Sequence, residues 1–440
     1  MELPQYIRSI IKQLNSAGYQ AYVVGGSVRD ALLGKKPHDF DVTTDARPEQ
    51  IINLFDHTAP TGIKHGTVTV LSEQPVEVTT FRTESQYHDH RHPDHVAFVS
   101  NLKEDLARRD FTVNAMAYHP QSGLIDPFGG QEDLKKKQIR CVGDPRQRFE
   151  EDALRLMRAH RFAAQLDFTI EEETAKAIEE CANTICYVSV ERIREELFKI
   201  LRYNAYEIEN MTKLLSNWMP ELETCKACEQ NTPWHNANVL HHILASVTYL
   251  NPFDETLALT LLCHDLGKPA CKTTVDGIDH FKGHPLVSAQ IAKRICRDLK
   301  CTRRQQEVIP LLVRYHDVKM KDPLGVVFRF RVQYQWDDER MQQLLEVKRC
   351  DLMAHSEFGR RSLRLLDRLK EVYQECLEQR PMTLQELAID GSDVSRAGFQ
   401  GKEIRNVLQN CLEYCFYHPD QNNREFLLPY IEQDPWKLSS

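Results

Sequence analysis

Two aspartates, Asp39 and Asp41, flank a phenylalanine in the stretch PHDFDVTT, residues 37–44. In a β-strand alternate side chains share a face, so both carboxylates point the same way. Like charges this close repel, and a purely structural sheet gains nothing from the pair. Hard oxygen ligands on one face do suit Mg²⁺, which keeps some waters and takes its other ligands from substrate phosphates. Two such ions about 4 Å apart activate an attacking hydroxyl and neutralise a leaving pyrophosphate. Phe40 and Val42 would face the core.

The neighbouring residues extend that chemistry. In GGSVRD, Gly25 and Gly26 fall at a strand-to-helix turn, where backbone N–H groups can approach a triphosphate. Glu77 alternates with Val76 and Val78 and is the only acid of its strand, so it can supply a third carboxylate. The plain alternative is an ordinary glycine turn beside an exposed strand edge. The glycine pair alone is weak evidence; joined to the paired aspartates it becomes far more specific.

The elements that must carry these residues are mixed α/β. QAYVVGG reads as a strand and SVRDALLG as a short helix, with Ser27 as N-cap and Gly34 as stop. DFDVTT is the second strand, RPEQIINLF a helix with Pro48 near its start, and GTVTVLSEQPVEVTTFR a two-stranded hairpin. TESQYHDHRHPDH, residues 83–95, reads as a polar loop. From about residue 146 the periodicity is helical, as in FEEDALRLMRAHRFAAQL and VERIREELFKIL. The alternation in GVVFRFRVQYQW predicts one late strand.

The 440 residues suffice for three or four domains, and 41% hydrophobic with 27% charged residues fits a soluble globular protein. No run of about 18 apolar residues is present, so no membrane partner is expected. The amphipathic N-terminus is unlike a signal peptide, which predicts a cytoplasmic protein. The thirteen cysteines have no framework spacing and are expected to be free. Cys225 and Cys228 have zinc-like spacing with His235 beyond, but no second CxxC completes a finger. A net charge of −8 argues weakly against a nonspecific nucleic-acid coat. Residues 135–161 nevertheless carry nine Lys/Arg against four Asp/Glu, a candidate phosphate contact.

VVGGSVRDALLGKKPHDFDVTT resembles the catalytic signature of the polymerase-β-like nucleotidyltransferases. Its form is similar to class II tRNA nucleotidyltransferases, the CCA-adding enzymes, and to bacterial poly(A) polymerases. LARRDFTVNAMAY (106–118), EEDALRLMRAHRFAAQLDF (150–168) and VSVERIREELFKIL (188–201) resemble the family's following motifs in order. The resemblance is strong over about the first 200 residues and weaker to the end, where LAIDGSDVSRAGFQGKEI looks like a tRNA-facing tail. It implies that Asp39 and Asp41 hold catalytic Mg²⁺, that Arg29 and Asp30 support triphosphate and ribose, and that Arg108, Arg109, Asp110 and Asn114 contact or brace the nucleotide. The 83–95 loop takes the place of the family's flexible loop, associated with switching to A addition.

On the helix expected over 150–168, Asp152 and Arg155 are surface neighbours three apart. Asp offers acceptors and Arg donors. Cytosine and adenine each present an amino donor beside a ring-nitrogen acceptor, and both match that pair. Uracil and guanine oppose it, setting like against like in a desolvated site. An arbitrary pair of this kind is usually a solvated ion pair; the motif context favours the template. Arg158 and Arg161 continue the row, toward phosphates or toward solvent.

VLHHIL, CHDLGK, FKGHPLVSA, VRYHD and VKRCDLMAH follow one another between 239 and 355 and resemble an HD-type metal phosphohydrolase domain. Matched by position, the resemblance gives His242, His264, Asp265, His284 and Asp351 as ligands of a second divalent metal, with His316 less secure. The alternative is a helical body whose histidines pack or cap.

The expected architecture is an α/β nucleotidyltransferase head (1–140), then an all-α neck reading the base (141–205), an HD-type body (206–355) and a tRNA-binding tail (356–440). The expected function is template-independent addition of C, C and A to the tRNA 3′ end from CTP and ATP. A poly(A) polymerase or a partial CC- or A-adding enzyme shares the core motifs. An HD phosphohydrolase or a noncatalytic RNA-binding protein is the rival from another class; intact Asp39, Asp41, Asp152 and Arg155 speak against both.

Overall fold

The paired aspartates fall at the mouth of β2 (Asp41–Thr44), the central strand of a seven-stranded sheet. The structure is a computed structural model and describes residues 1–37, 39–63, 66–85 and 95–433. It forms two compact units, Met1–Asn217 and Trp218–Ser440.

In the first unit, β1 (Ala21–Val24) pairs antiparallel with β2. The strands β3 (Thr58–Gly62), β4 (Thr67–Leu71) and β5 (Pro75–Thr80) form an antiparallel meander, and β5 joins β2 in parallel. A separate antiparallel ribbon is made by β6 (Arg82–Ser85) and β7 (His95–Phe98). The strands β8 (Ala117–His119) and β9 (Gly123–Ile125) complete the sheet beyond β1. The expected hairpin of β4 and β5 is present. The predicted 83–95 loop is strand at its ends, and residues 86–94 of it lie outside the described residues.

Alternation fixes the faces: Val23, Val42, Val68 and Val78 are fully buried. The helix α1 (Gln5–Ser16) buries Ile7, Ile10, Ile11 and Leu14, an i, i+3, i+4, i+7 stripe that packs on β1. In α2 (Gly26–Leu32) the N-cap is Gly25, not Ser27. Ser27 lies inside the first turn, its hydroxyl donating to the Val24 carbonyl at 3.2 Å. Gly34, at φ +71°, stops the helix as expected. Three further helices follow in the head: α3 (Pro48–Leu54), α4 (Leu102–Ala107) and α5 (Gly130–Lys136).

The single helix expected over 150–168 is two helices, α6 (Pro145–Glu151) and α7 (Leu154–Leu166). Asp152 between them is extended, with φ −137° and ψ 102°, and its carboxylate accepts from the Leu154 N–H at 3.1 Å. That local side-chain bond offers the backbone an alternative to helix continuation. The unit closes with α8 (Glu172–Cys181) and α9 (Val190–Asn204), the latter packed on α7.

Among its described residues, the second unit is helical apart from a short hairpin, Thr273–Val275 with Ile278–His280. The strand predicted in GVVFRFRVQYQW is instead the helix Pro323–Val327 running into a π-helical turn, Phe328–Gln333. Val326, Val327 and Phe330 are buried at helical spacing, and the wider turn also brings Val332 inward, so alternating Phe and Arg mimic a strand. No helix among the described residues is long and apolar enough to cross a membrane.

Candidate functional site

The parallel pairing of β2 and β5 sets Asp41 opposite Glu77. Both side chains reach solvent, while Val76 and Val78 turn inward. Asp39 lies just before β2, also exposed, with Phe40 buried between the two aspartates. Although it reaches solvent, the Asp41 carboxyl is held above its usual range by desolvation, then by the charges of Glu77 and Asp39, with Arg109 opposing. Such a carboxylate gains from a cation. The three acids are less tightly gathered than the ligands of the second unit: among the described residues, every set of three ligand atoms within 4.8 Å of one another lies there.

Gly25, at φ +75°, caps α2 directly above this edge. A Cβ there would stand 3.1 Å from Arg109 Nη1 and 3.8 Å from Asp41 Oδ2, so the close approach requires glycine. The buried Nε of Arg109 has no hydrogen-bond partner. Its Nη2 lies 3.7 Å from Asp105, a fully buried acid that also accepts from Arg108 Nε at 2.9 Å and Thr43 Oγ1 at 3.1 Å. Asp105 is missing from the sequence reading because it precedes the motif and looks like an ordinary helix-surface acid.

Arg29, Asp110 and Asn114 form one buried relay. Arg29 Nη1 donates to Asn114 Oδ1 at 2.8 Å, Asn114 Nδ2 donates to Asp110 Oδ1 at 3.3 Å, and Arg158 Nε donates to Asp110 Oδ2 at 2.8 Å. Burial would push the Asp110 carboxyl up, but the Arg158 charge and its hydrogen bond overcome this and hold it well below the usual range. Arg29 Nε also donates to Asp30 at 2.8 Å. The Phe162 ring serves three cations: the guanidinium carbons of Arg161, Arg29 and Arg158 lie 3.6, 5.3 and 5.4 Å from its centre.

The helix break changes the pair at 152 and 155. Asp152 Oδ2 meets Arg192 Nη2 of α9 at 3.2 Å. Arg155 Nη1 donates to Glu151 at 2.7 Å and its Nη2 to the Arg108 carbonyl at 3.0 Å. The premise of one helix surface is therefore corrected; Arg192 and Glu151 are the direct partners. The basic excess of residues 135–161 is also met by acids. Arg140 pairs with Asp133, Arg146 with Glu180, Arg148 and Arg155 with Glu151, Arg158 with Asp110 and Arg161 with Glu196. Counting charges along the chain cannot register partners that fold in from elsewhere.

In the second unit all five predicted ligands converge. His242 Nε2 is 3.4 Å from Asp265 Oδ2 and 3.2 Å from Asp351 Oδ1. His264 Nε2 lies 3.2 Å from Asp265 Oδ2, and His284 Nε2 lies 3.1 Å from Asp265 Oδ1. His316 joins them, its Nε2 3.5 Å from Asp265 Oδ1. His355, unassigned in the sequence, sits 3.3 Å from Asp351, one helical turn away. Lys268 Nζ, 2.7 Å from Asp265, was equally unassigned despite its place in CHDLGK. Asp265, Lys268, His284, His316, Asp351 and His355 border a cavity of about 730 Å³ to which Lys282, Lys319, Lys321 and Lys348 also contribute. Cys225 lies apart from them, its thiol directed to the Leu266 carbonyl at 3.9 Å, and burial pushes that thiol up rather than toward a thiolate.

Residues 21–140 match the family described as the poly A polymerase head domain, and residues 167–226 the probable RNA and SrmB-binding site of polymerase A. The CCA-adding enzyme of Enterococcus faecalis is 56% identical over 193 residues, 44% of this chain and 48% of that protein. That of Bacillus pumilus is 45% identical over 260 residues, 58% of this chain and 65% of the relative. The chain thus spans about half to two thirds of the length of the curated relatives it matches. The CCA-adding enzyme of Bacillus stearothermophilus in complex with CTP has a similar structure, with TM-score 0.74, 27% identity and 98% of each chain covered. A Thermotoga maritima CCA-adding enzyme complexed with tRNA shares the fold at 20% identity and TM-score 0.62.

Proposed function

We propose that this chain is a class II nucleotidyltransferase, of the family of the CCA-adding enzymes, and that it adds C, C and A to the 3′ end of tRNA from CTP and ATP. The observation that carries this reading is the register of Asp41 against Glu77, with Asp39 beside them and Gly25 and Arg109 above. The tRNA 3′-hydroxyl attacks the α-phosphorus of the bound nucleotide. A new P–O bond forms, the bond to the β-phosphate breaks, and pyrophosphate leaves while the hydroxyl proton passes to solvent.

The head acids fit Mg²⁺: they are oxygen donors on one edge, and desolvation, with the charges of Glu77 and Asp39 added, holds the Asp41 carboxyl up. Asp39 and Asp41 would hold the ion, with Glu77 adjacent. When bound it supplies charge neutralisation at the transferring phosphoryl group. Gly25 and Gly26 admit the triphosphate to the backbone, and Arg109, with a free buried Nε, meets its charge. Arg29 and Asp30 brace triphosphate and ribose, while Arg108, Asp110 and Asn114 hold the wall behind the nucleotide. Asp152 and Arg155 present acceptor and donor to the base, each steadied by its own partner. Arg158 and Arg161 stiffen that wall through Asp110, Glu196 and Phe162.

The test is a product assay with tRNA lacking CCA, supplied with each NTP singly and in pairs. Ordered CC then A, with no poly(A) tail, is the expected result. Long A tracts would identify a poly(A) polymerase, and CC or A alone a partial enzyme.

A second activity is supported by the lysine-lined cavity over the His/Asp cluster of the second unit. That arrangement fits a divalent metal and a phosphoester, with 2′,3′-cyclic phosphate at a damaged RNA end as the substrate class.

A further inference from the structure

The cavity beside the His/Asp cluster does not end at its lysines. Asp317, Val318, Lys319 and Lys321, between the helices Arg303–Tyr315 and Pro323–Val327, line both that cavity and a second one of about 460 Å³. Met320 is buried, which leaves Lys319 and Lys321 exposed on either side of it. Successive residues at the end of the first helix serve different cavities. His316 Nε2 turns to Asp265, its Nδ1 held 2.7 Å from the Val313 carbonyl, while Arg314 and Tyr315 line the second cavity with Arg329.

The charges of the second cavity are unmatched. Arg314, Lys319, Lys321 and Arg329 are all exposed, and none of them makes an ion pair among the described residues. The two acids nearby are engaged elsewhere. Asp317 Oδ1 lies 3.5 Å from Lys348 Nζ, and Asp322 caps its helix by accepting from the Gly325 N–H at 3.0 Å. Residues 135–161 show the reverse, since every arginine there meets an acid. In a chain of net charge −8, four cations around one hollow without acidic partners make a local positive field suited to a polyanion.

The first cavity also carries an aromatic face. Trp234, 45% exposed, lines it. Phe358 meets the indole at 4.8 Å and 64°, and Ser356 ties the loop down, donating its N–H to the Trp234 carbonyl at 2.9 Å and its hydroxyl to the Pro233 carbonyl at 2.6 Å. A ring held still in this way offers a stacking face that any base accepts. An aromatic platform beside a cationic groove is the combination that binds single-stranded nucleic acid. A polyphosphate or an acidic peptide would leave the indole unused.

We propose that the two cavities form one binding track for the 3′ end of a single RNA strand. The terminal base stacks on Trp234 and the terminal phosphate enters the cavity beside the His/Asp cluster. The phosphate that joins the terminal nucleotide to the preceding one lies against Arg314, Arg329, Lys319 and Lys321. The proposal rests on the reading of this unit as a phosphohydrolase and makes its substrate a strand rather than a mononucleotide.

The experiment compares kcat/KM of the full-length chain for 2′,3′-cyclic CMP and for a cytidine dinucleotide ending in the same cyclic phosphate. The dinucleotide should be preferred by at least about tenfold, the effect of one charge-assisted contact. Arg314→Gln with Arg329→Gln should abolish the preference, and Arg314→Lys with Arg329→Lys should keep most of it. Trp234→Ala should raise KM for both substrates. Cooperative thermal unfolding confirms that each variant is folded. No preference in the wild type, a preference that survives the glutamine pair, or an unchanged KM in Trp234→Ala would overturn the track. A second readout needs no turnover. A trinucleotide with a 3′-phosphate and 4-thiouridine next to its end is photo-crosslinked, and the crosslinks are expected within residues 314–329. Crosslinks there without hydrolysis under any metal would overturn the hydrolase reading and leave the track standing, whereas crosslinks confined to other segments would overturn the track. Tripolyphosphate or an oligoglutamate that displaces the strand as well as unlabelled RNA does would overturn it too.

Discussion

Asp41 and Glu77 occupy paired positions on adjacent parallel strands, β2 and β5, so two acids that are 36 residues apart in the chain share one edge of the sheet. A cation would relieve their repulsion, and activity should follow the number of carboxylates left. Asp39→Ala and Asp41→Ala are expected to abolish CTP and ATP incorporation while far-UV circular dichroism stays unchanged. Glu77→Gln should retain the fold and lose at least about tenfold in kcat/KM, roughly the worth of one charge-assisted contact. Near-normal turnover of either aspartate variant with Mg²⁺ would remove the catalytic assignment.

Base choice should depend on four residues rather than two. Asp152→Ala removes the acceptor for the amino group of cytosine or adenine and relieves the opposition to uracil and guanine carbonyls. Arg192→Ala frees the same carboxylate, now bonded at 3.2 Å, and should damage selectivity in the same direction. Arg155→Ala removes the donors, and Glu151→Gln loosens them. Each should cost about tenfold to a hundredfold in discrimination, on the order of 1.5–3 kcal/mol. The check is kcat/KM for all four NTPs on tRNA ending before the second C and before the A. Unaltered ratios with a lower overall rate would make this region a scaffold.

Stability should fall in acid through Asp110. Its folded pKa lies well below the ordinary carboxylate value, so the unfolded chain takes up the proton first. The stabilisation is therefore complete above the ordinary carboxylate range and lost as pH falls through that range toward the folded value. The melting-temperature gap between the wild type and Asp110→Asn should narrow from about pH 6 to about pH 3. Arg158→Met strands the buried acid and should destabilise at neutral pH by roughly 3–5 kcal/mol. A gap that stays constant with pH would show that Asp110 is not the titrating group.

The second unit should hydrolyse 2′,3′-cyclic nucleotides with one or more of Mg²⁺, Mn²⁺, Ni²⁺ and Co²⁺. His264→Ala and Asp265→Ala should each reduce that rate by at least a hundredfold. Equal rates in both variants, or silence with every metal, would count against a phosphohydrolase.

Short-range patterns made much of this molecule legible. The stripe Ile7, Ile10, Ile11, Leu14 and the alternation around Glu77 each specify a face from a single period, and both faces are found as read. The order of the His and Asp elements likewise anticipated a convergence that needs several helices to assemble. What stayed hidden depends on competition or on distance. Asp152 ends a helix because its side chain bonds the Leu154 N–H, an option that periodicity does not reveal. Phe328–Gln333 alternates like a strand because a π-turn changes the phase of burial. Arg192 and Glu196 meet Asp152 and Arg161 of a distant helix pair, Asp105 accepts from the Thr43 hydroxyl of a strand, and nothing in their own neighbourhoods marks these partners.

The imidazoles of the second unit take their orientation from the main chain. His264, His284 and His316 each bond the carbonyl three residues before them, and each stands where a helix begins or ends. Helix termini fray before helix centres do. Mild heating or low denaturant should therefore scramble the tautomers, and with them the affinity for ions, while the unit still holds its secondary structure. Loss of bound ions would then be an early event in denaturation rather than its result, and added ions would tighten the helix ends before they raised the global melting point.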